Sequence, residues 1–243
     1  MRYGKLIYGP VNSGDYGVYV ADVNDSDKPK RDYTSYSVPG RSRDLHFDNG
    51  RYENITRKYT CVIQSSAHGF AEDAVDRFTS LLMRPSGYQR IEDTLHPEYF
   101  KLGEFVGGTV PKFYQDKNTV HFELSFDCDA RKWLRSGEVE KTLPAGTTKV
   151  WNPGTEDATP IFIITGNGYI EIGSKRITIT SNTDTMIIDC DLGDAYSQEA
   201  HSNLNSKIQV SGAGDFPVLM PGFNNVKVSG LTSCTMIPRW NSL

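Results

Sequence analysis

The chain has 243 residues, a formal net charge of −4 and a mean hydropathy of −0.47. This balance is typical of a globular protein of one large domain or two ordinary ones, and it excludes intrinsic disorder. No apolar run approaches the roughly 20 residues that span a bilayer, and the start of the chain lacks the apolar segment of a signal peptide. The pI of about 5.7 argues against a dedicated nucleic-acid-binding protein.

High contents of Gly (22), Pro (12), Tyr (13) and Phe (11) favour a turn-rich, aromatic-rich β protein. The four cysteines are too far apart for a CxxC zinc or redox motif, although their even number permits two disulfides. Cys61 and Cys190 stand inside apolar strand-like runs, which favours free thiols that serve as small buried hydrophobes. The absence of a secretion signal supports the same interpretation.

Residues 28–58 form the first distinctive segment, with eight Lys+Arg, four Asp+Glu and little apolar periodicity. Pro39-Gly40 and Asn49-Gly50 are turn signals, and Asn49-Gly50 is predicted to close a hairpin whose strands are too polar for a core. Such a segment is typical of a loop or of a contact with a partner. The residues that we assign to this contact are Tyr36, Arg41, Arg43, Asp44, Asp48, Arg51 and Tyr52.

The same segment offers a second interpretation, because its basic and aromatic side chains would suit a phosphate backbone. The basic residues are Arg41, Arg43, Arg51, Arg57 and Lys58. Asp44, Asp48 and Glu53 partly cancel this charge, so a salt-bridged interface is the better interpretation.

Regular elements follow the polar segment. Tyr59, Cys61 and Ile63 alternate as in a half-buried strand, and TVHFELSF (119–126) repeats this pattern with Val120, Phe122, Leu124 and Phe126 facing inward. Between these strands the apolar spacing predicts an amphipathic helix over 71–83, which Pro85-Ser86-Gly87 ends. The inward residues of this helix are predicted to be Phe70, Ala74, Phe78, Leu81 and Leu82. A short second helix is predicted at 96–100.

The composition changes near Lys141–Trp151, where Pro144-Ala145-Gly146 predicts a turn and a linker. Residues 142–243 are rich in Thr, Ile, Asn and Gly, and no helix is evident after about residue 151. Short strands with tight turns at Gly166-Asn167-Gly168 and Gly173-Ser174 predict an antiparallel sandwich. The predicted strands are Ile161–Ile164, Tyr169–Ile172, Ile177–Ile179, Met186–Cys190, Val226–Val228 and Cys234–Ile237. We therefore predict two domains, 1–143 and 144–243.

The sequence carries no catalytic motif, and we predict no enzyme activity, cofactor or metal. Asp189, Asp191 and Asp194 form an acidic cluster, and alternation places Asp189 and Asp191 on one face, as in a cation site. The EF-hand pattern is absent, however, and a solvated strand end is the better interpretation. His121 lies on the polar face of its strand and is not predicted to act as a ligand or base.

Taken in order, these motifs resemble a known family. SYSVPGRSRDLHFDNGRYEN, the helix and YQRIEDTLHPEYFKLGEF resemble the N-terminal domain of distal tail (Dit) proteins of siphoviruses and prophages of Gram-positive bacteria. WNPGTEDATPIFIITGNGYIEIG, IDCDLGDAY, GDFPVLMPGFNNVKVSG and the terminal IPRW resemble the C-terminal domain of the same proteins. The resemblance covers nearly the whole chain, although DARKW (129–133) departs from the family pattern at the domain junction.

The resemblance implies a mainly β fold: an N-terminal β-sandwich-like domain with one amphipathic helix, and a C-terminal galectin-like antiparallel β-sandwich. It also implies a hexameric ring in the virion tail tip, built by the N-terminal domains and assembled in the host cytoplasm. Implied partners are the tail tube protein, a tail-associated fibre or lysin protein, and receptor-binding or baseplate proteins, with DNA only in transit and no membrane. In this ring the polar segment, about Tyr33–Asn54, would be an inter-subunit arm whose Arg and Asp residues pair across the boundary.

An alternative is a carbohydrate-binding module that recognises host cell-wall glycans through the C-terminal domain. Trp151 and Trp240 are the Trp residues of that domain, and both stand at its ends. His201, Asn203 and Asn205 lie in a predicted loop. A sugar-binding cluster on strands is therefore not visible in the sequence, which favours the structural role.

Overall fold

The computed structural model describes residues 3–25, 28–64, 71–107, 112–113, 119–211 and 215–243. Two compact units make up the chain: residues 1–132 together with Leu243, and Trp133–Ser242. The described residues are mainly β with antiparallel pairing, and they include one α-helix, so the predicted fold class is confirmed.

The elements of the first unit, in chain order, are β1 (Leu6–Tyr8), β2 (Val11–Asn12), a 3-10 turn (Ser13–Tyr16), β3 (Val18–Asp25), β4 (Arg31–Tyr36), β5 (Leu45–Tyr52), β6 (Ile55–Gln64), α1 (Ala71–Leu82), β7 (Gln89–Asp93), β8 (Tyr99–Phe105), β9 (Lys112–Phe113) and β10 (Thr119–Cys128). The main sheet has the order β2-β1-β7-β8-β10-β6-β3, and β9 pairs with β10. β4 and β5 stand apart as a two-stranded sheet.

The central pair of the main sheet is β6 and β10, which are in register from Thr119 opposite Gln64 to Cys128 opposite Ile55. The predicted alternation is confirmed on both strands, because their inward side chains are almost completely buried. These inward residues are Tyr59, Cys61, Ile63, Val120, Phe122, Leu124 and Phe126. One row of side chains from each strand thus lies at the centre of the core of the first unit, which strands β1, β3 and β7 and helix α1 complete.

The helix α1 covers this core with Val75, Phe78 and Leu82, all buried. It lies where the apolar spacing predicts it, whereas Phe70, predicted on its inner face, falls outside the described residues. The second helix predicted at 96–100 is wrong. The Asp93 carboxylate accepts hydrogen bonds from the backbone N–H groups of Leu95 and His96, at 3.0 and 2.8 Å. This Asx-type turn leads directly into β8.

The elements that follow, in chain order, are β11 (Lys132–Leu134), a 3-10 turn (Arg135–Gly137), β12 (Lys141–Thr142), β13 (Gly146–Asn152), β14 (Ile161–Ile172), β15 (Lys175–Ile179), β16 (Met186–Asp189), β17 (Asp194–Ser197), a 3-10 turn (Asn205–Lys207), β18 (Ile208–Val210), β19 (Gly222–Ile237) and β20 (Asn241–Ser242). All of them belong to the second unit, except that Lys132, the first residue of β11, is counted with the first unit. The sheet of the second unit has the order β12-β19-β14-β15-β18. In addition, β13 pairs with β19, and β16 pairs with β14 and β17.

Two long strands, β14 and β19, run through this sheet side by side. The predicted hairpin at Gly166-Asn167-Gly168 is wrong, because these residues form an irregularity inside β14, where its register with β19 shifts. A Cβ on Gly168 would lie 2.1 Å from the Ser229 carbonyl oxygen, so only glycine permits this approach. The predicted turn at Gly173-Ser174 is confirmed between β14 and β15.

The core of the second unit begins before the predicted linker. Leu143 and Trp240 are buried in it, and Lys141 and Thr142 pair with β19. The division at Lys132 therefore lies eleven residues before the boundary predicted at 143, because the composition changes after the chain has entered the second core.

The four cysteines are free and buried, as the sequence predicts. Burial raises the pKa of the Cys61 thiol above its usual range and raises that of Cys234 to about 12. The four thiols are thus small core side chains, in keeping with the absence of a CxxC motif.

Candidate functional site: an exposed hairpin arm

The residues assigned to a contact lie on the hairpin of β4 and β5, which we call the arm (residues 31–52). Its strands are in register from Tyr36 opposite Leu45 to Tyr33 opposite Asp48. Asp32 and Tyr52 are half-buried, and the other residues of the arm are exposed. An isolated two-stranded hairpin is at best marginally stable in water. The arm therefore has the composition and geometry of a segment that is completed by a partner.

The arm turns at residues 37–44 and not at Asn49-Gly50, so that part of the prediction is wrong. The Arg41 N–H donates to the Val38 carbonyl at 3.1 Å, and Gly40 has φ +81. Pro39-Gly40 is thus the turn signal that operates here.

Asn49-Gly50 instead forms a bulge within β5, where the register with β4 shifts between Arg31 and Tyr33. Gly50 has φ +73, and its N–H donates to the Asp48 carboxylate at 2.8 Å. A dipeptide that tolerates positive φ serves a bulge as well as a turn.

Two ion pairs brace the arm from strand to strand. Arg31 Nε lies 2.6 Å from the Asp48 carboxylate, and Arg51 Nε lies 2.6 Å from that of Asp32. Hydrogen bonds from the Gly50 N–H and Arg31 lower the pKa of Asp48, and those from Asn49 and Arg51 lower the pKa of Asp32. Asp48 and Arg51 are therefore already paired within their own chain.

One face of the arm is apolar. Tyr36 and Phe47 meet edge to face with ring centroids 5.8 Å apart, and Leu45 lies directly opposite Tyr36. These three side chains are 57%, 53% and 48% exposed, respectively. Exposed aromatic and aliphatic side chains grouped on one strand pair are typical of an interface.

The tip of the arm carries the remaining residues of the predicted site. Arg41, Arg43 and Asp44 are exposed, and none makes a side-chain hydrogen bond or ion pair with any residue that the structure describes. These three are the charged groups of the arm that remain free to pair with another molecule.

The base of the arm opens on a shallow groove with a volume of about 420 Å³. Its lining residues are Arg51, Tyr52, Asn54, Tyr88, Leu102, Asp129, Ala130 and Arg131. The Asn54 amide donates to the Asp127 carboxylate at 2.7 Å, and the Glu53 N–H donates to the Lys30 carbonyl at 2.8 Å. These bonds close the base of the arm against the first unit.

Arg57, which the sequence grouped with the basic residues of the arm, is 1% exposed and lies inside the first unit. Its guanidinium contacts the Asp93 carboxylate at 3.0 Å and the Tyr59 hydroxyl at 2.8 Å. The basic cluster that suggested a phosphate site is therefore divided between the surface and the core.

The acidic cluster of the second unit faces a guanidinium. Arg239 Nη1 lies 3.0 Å from Asp189 and Nη2 lies 3.3 Å from Asp191. The amide groups of Asn203 and Asn205 donate to the Asp194 carboxylate. Among the residues that the structure describes, no group of His, Cys, Asp and Glu side chains could hold a metal ion.

The Trp residues that bear on sugar binding differ in exposure. Trp240 is buried at 1% exposed, whereas Trp151 is 51% exposed and contacts Phe223.

Across the described residues, no helix has the length and apolar character to cross a membrane.

Comparisons with known proteins identify the fold. No protein-family model matches the sequence, and no curated protein matches it. The crystal structure of SPP1 Dit, described as a paradigm of the hub adsorption apparatus in phages that infect Gram-positive bacteria, matches with a TM-score of 0.74. The match covers 100% of both chains at 13% identity.

Two structures of the phage P2 baseplate in its activated conformation match over 97% of both chains at 9% identity. The structure with Ca has a TM-score of 0.51, and the structure with Sr has a TM-score of 0.50. The fold that the sequence resemblance implies is therefore confirmed.

Proposed function

We propose that this chain is a structural protein of a phage tail tip, a distal tail protein that forms a hexameric ring. The observation that supports this most strongly is the likeness to SPP1 Dit along the whole of both chains. A likeness confined to one unit would point to a shared module, whereas this one includes both units in the same order. The likeness to the phage P2 baseplate points to the same part of a virion.

The arm supplies the ring contact in this proposal. A closed ring needs heterologous contacts, in which a patch on one subunit meets a different patch on the next. The apolar face of Tyr36, Leu45 and Phe47 would pack on the neighbouring first unit, while Arg41, Arg43 and Asp44 would pair with its charges. Because Asp48 and Arg51 are paired within the arm, they shape it rather than bridge two subunits.

The ring would lie between the tail tube and the proteins of the tail tip. Its proposed partners are the tail tube protein, a tail-associated fibre or lysin protein, and receptor-binding or baseplate proteins. The virion tail tip would be its location, after assembly in the host cytoplasm, and DNA would pass through the ring without being recognised. The proposal assigns the chain no catalytic role and no cofactor.

Removing the arm tests this proposal. The Glu53 N–H already bonds to the Lys30 carbonyl, so a Gly-Ser link can replace residues 31–52 with little strain. We expect the free energy of unfolding to change by less than about 1 kcal/mol, because the arm contributes no residue to the core. Sedimentation velocity should show an assembly for the full chain and a monomer for the shortened chain.

A point variant with a matched control separates the arm from general surface effects. Leu45→Ser with Phe47→Ser should weaken assembly, whereas Met83→Ser with Val106→Ser should not, although both control side chains are more than 60% exposed in the same unit. Undiminished assembly of the shortened chain would exclude the arm as the ring contact. An equal loss in the control would show that apolar surface in general drives the association.

A further inference from the structure

The outer face of the sheet in the second unit carries aromatic and basic side chains together. They come from β13, β14, β15 and β19, and alternation along each strand directs them away from the core. We call this surface the basic aromatic face. It consists of Lys149, Trp151, Tyr169, Glu171, Arg176, Phe223, Asn225 and Lys227.

Charge is unevenly distributed over this unit. The unit carries 8 Lys+Arg and 11 Asp+Glu, a net charge of −3. Among the residues that the structure describes, this face carries three cations, Lys149, Arg176 and Lys227. Its acid is Glu171, which forms an ion pair with Arg176. An acidic unit thus presents one locally basic face, which would attract an anion.

The cations on this face are held against aromatic rings. Lys149 Nζ lies 4.0 Å from the centre of the Phe223 ring, and the Arg176 guanidinium lies 4.2 Å from the centre of the Tyr169 ring. Lys227 also approaches Tyr169, at 5.7 Å, and its hydrogen bond lowers the pKa of the Tyr169 hydroxyl. Contacts of this kind fix the positions of long side chains before a ligand arrives.

A cleft continues the face beside Phe223. It has a volume of about 360 Å³, within the range of small-ligand sites. Its lining residues are Ile172, Gly173, Ser174, Lys175, Val218, Met220, Phe223, Asn224 and Asn225. Trp151 meets Phe223 at a centroid distance of 4.6 Å and is half exposed at the edge of the face. Aromatic surface, cations, an amide and a cleft therefore adjoin one another.

We infer that the basic aromatic face binds an acidic polysaccharide. Trp151 and Phe223 would pack against sugar rings, Asn225 would hydrogen-bond to hydroxyl groups, and Lys149 and Lys227 would pair with phosphate or carboxylate groups. Neighbouring strands lie about 4.8 Å apart, so side chains on this face are regularly spaced across the sheet. A row of regularly spaced side chains can contact successive units of a linear polymer. This inference goes beyond the scaffold role and does not depend on ring formation.

The arrangement suits a polysaccharide better than an acidic protein. A stable protein interface concentrates its aromatic anchors near a water-free centre, with charges at the rim. Here the centre is polar, with Asn225, Lys227 and Glu171, whereas Trp151 and Phe223 lie together at one edge. Such a face offers no apolar centre from which a protein partner could exclude water.

Binding of the full chain to defined polymers tests the inference. The probes are poly(glycerol phosphate), polygalacturonate, neutral dextran and poly-L-glutamate. We expect at least one of the two acidic carbohydrate polymers to bind and to shield Trp151 from quenching by acrylamide, with weaker binding at high salt. Which of them binds distinguishes phosphate from carboxylate as the recognised group. Dextran should not bind, and poly-L-glutamate should bind much more weakly.

Charge-reversal variants locate the site. Lys149→Glu with Lys227→Glu should weaken binding about tenfold, while Arg77→Glu with Arg84→Glu, the same charge change on exposed residues of the first unit, should leave it unchanged. The inference is overturned if neither acidic carbohydrate polymer binds or if the control variant loses as much affinity. Equal binding of poly-L-glutamate would also overturn it and would favour an acidic polypeptide partner. Sedimentation of the same samples reports ring formation separately.

Discussion

Replacing Trp240 by alanine is expected to destabilise the second unit by about 3–5 kcal/mol. The indole is 1% exposed in the core of that unit, and burying such a side chain removes about 200 Å² from water. Lys141 lies 5.2 Å from the ring, and the Leu134 N–H donates to the Trp240 carbonyl at 2.8 Å. The end of the chain is thus packed, and the substitution leaves a cavity that its neighbours can fill only in part. Urea denaturation followed by circular dichroism measures the loss.

Trp151→Ala is the matched control, because Trp151 is 51% exposed in the same unit. Its cost should stay below about 1 kcal/mol, since the side chain contributes little to the core. Equal losses for the two variants, or a loss of less than about 1 kcal/mol for Trp240→Ala, would contradict the packed arrangement.

The second large effect is expected for Asp93→Ala, at about 3–5 kcal/mol. The Asp93 carboxylate is nearly buried and contacts the Arg57 guanidinium, which is 1% exposed, at 3.0 Å. It also accepts the hydrogen bonds from Leu95 and His96 that form the turn before β8. Removing it takes a carboxylate away from a buried cation and leaves two turn N–H groups without this acceptor.

Two further variants isolate the charge effect. Lys58 is next to Arg57 on the same strand, but its ion pair with Glu123 is exposed. Glu123→Ala removes that pair and should lower the free energy of unfolding by less than about 1 kcal/mol. Combining Arg57→Met with Asp93→Ala should cost clearly less than the sum of the single variants, because the double variant no longer buries a lone charge. Additive losses in this cycle would show that the two side chains do not act as a pair.

Elements with a one-sided burial pattern could be predicted from the sequence. The alternation in 119–126 gave the strand Thr119–Cys128 with its correct inner face, and the helical spacing gave Ala71–Leu82 within a residue or two. In both elements one face packs against a core, so apolar side chains recur in the sequence with the period of the strand or the helix.

The arm and the bulges were predicted less well. Strands β4 and β5 have no buried face, so no periodicity marks their bounds, and Asn49-Gly50 suits a bulge as well as a turn. In the second unit, the local sequence at Gly166 and Gly168 predicts a hairpin, because the close approach of Ser229, more than sixty residues later in the chain, is not visible locally.

Long-range pairings explain what the sequence missed. The local sequence groups Arg57 with the basic residues of the arm, whereas its burial depends on Asp93, which is 36 residues away in the chain. The basic aromatic face joins Lys149, Tyr169 and Lys227 through the register of three strands. Only the pairing of those strands brings these side chains to one surface.

Native mass spectrometry of the purified full chain, with negative-stain images of the same sample, tests the central claim most directly. We expect a species of six times 27.2 kDa, about 163 kDa, and rings with six-fold symmetry. Both should disappear when the link from Lys30 to Glu53 replaces the arm. A chain that remains monomeric or forms only dimers at the highest attainable concentration would contradict the ring. Rings that persist without the arm would contradict the arm as the contact between subunits.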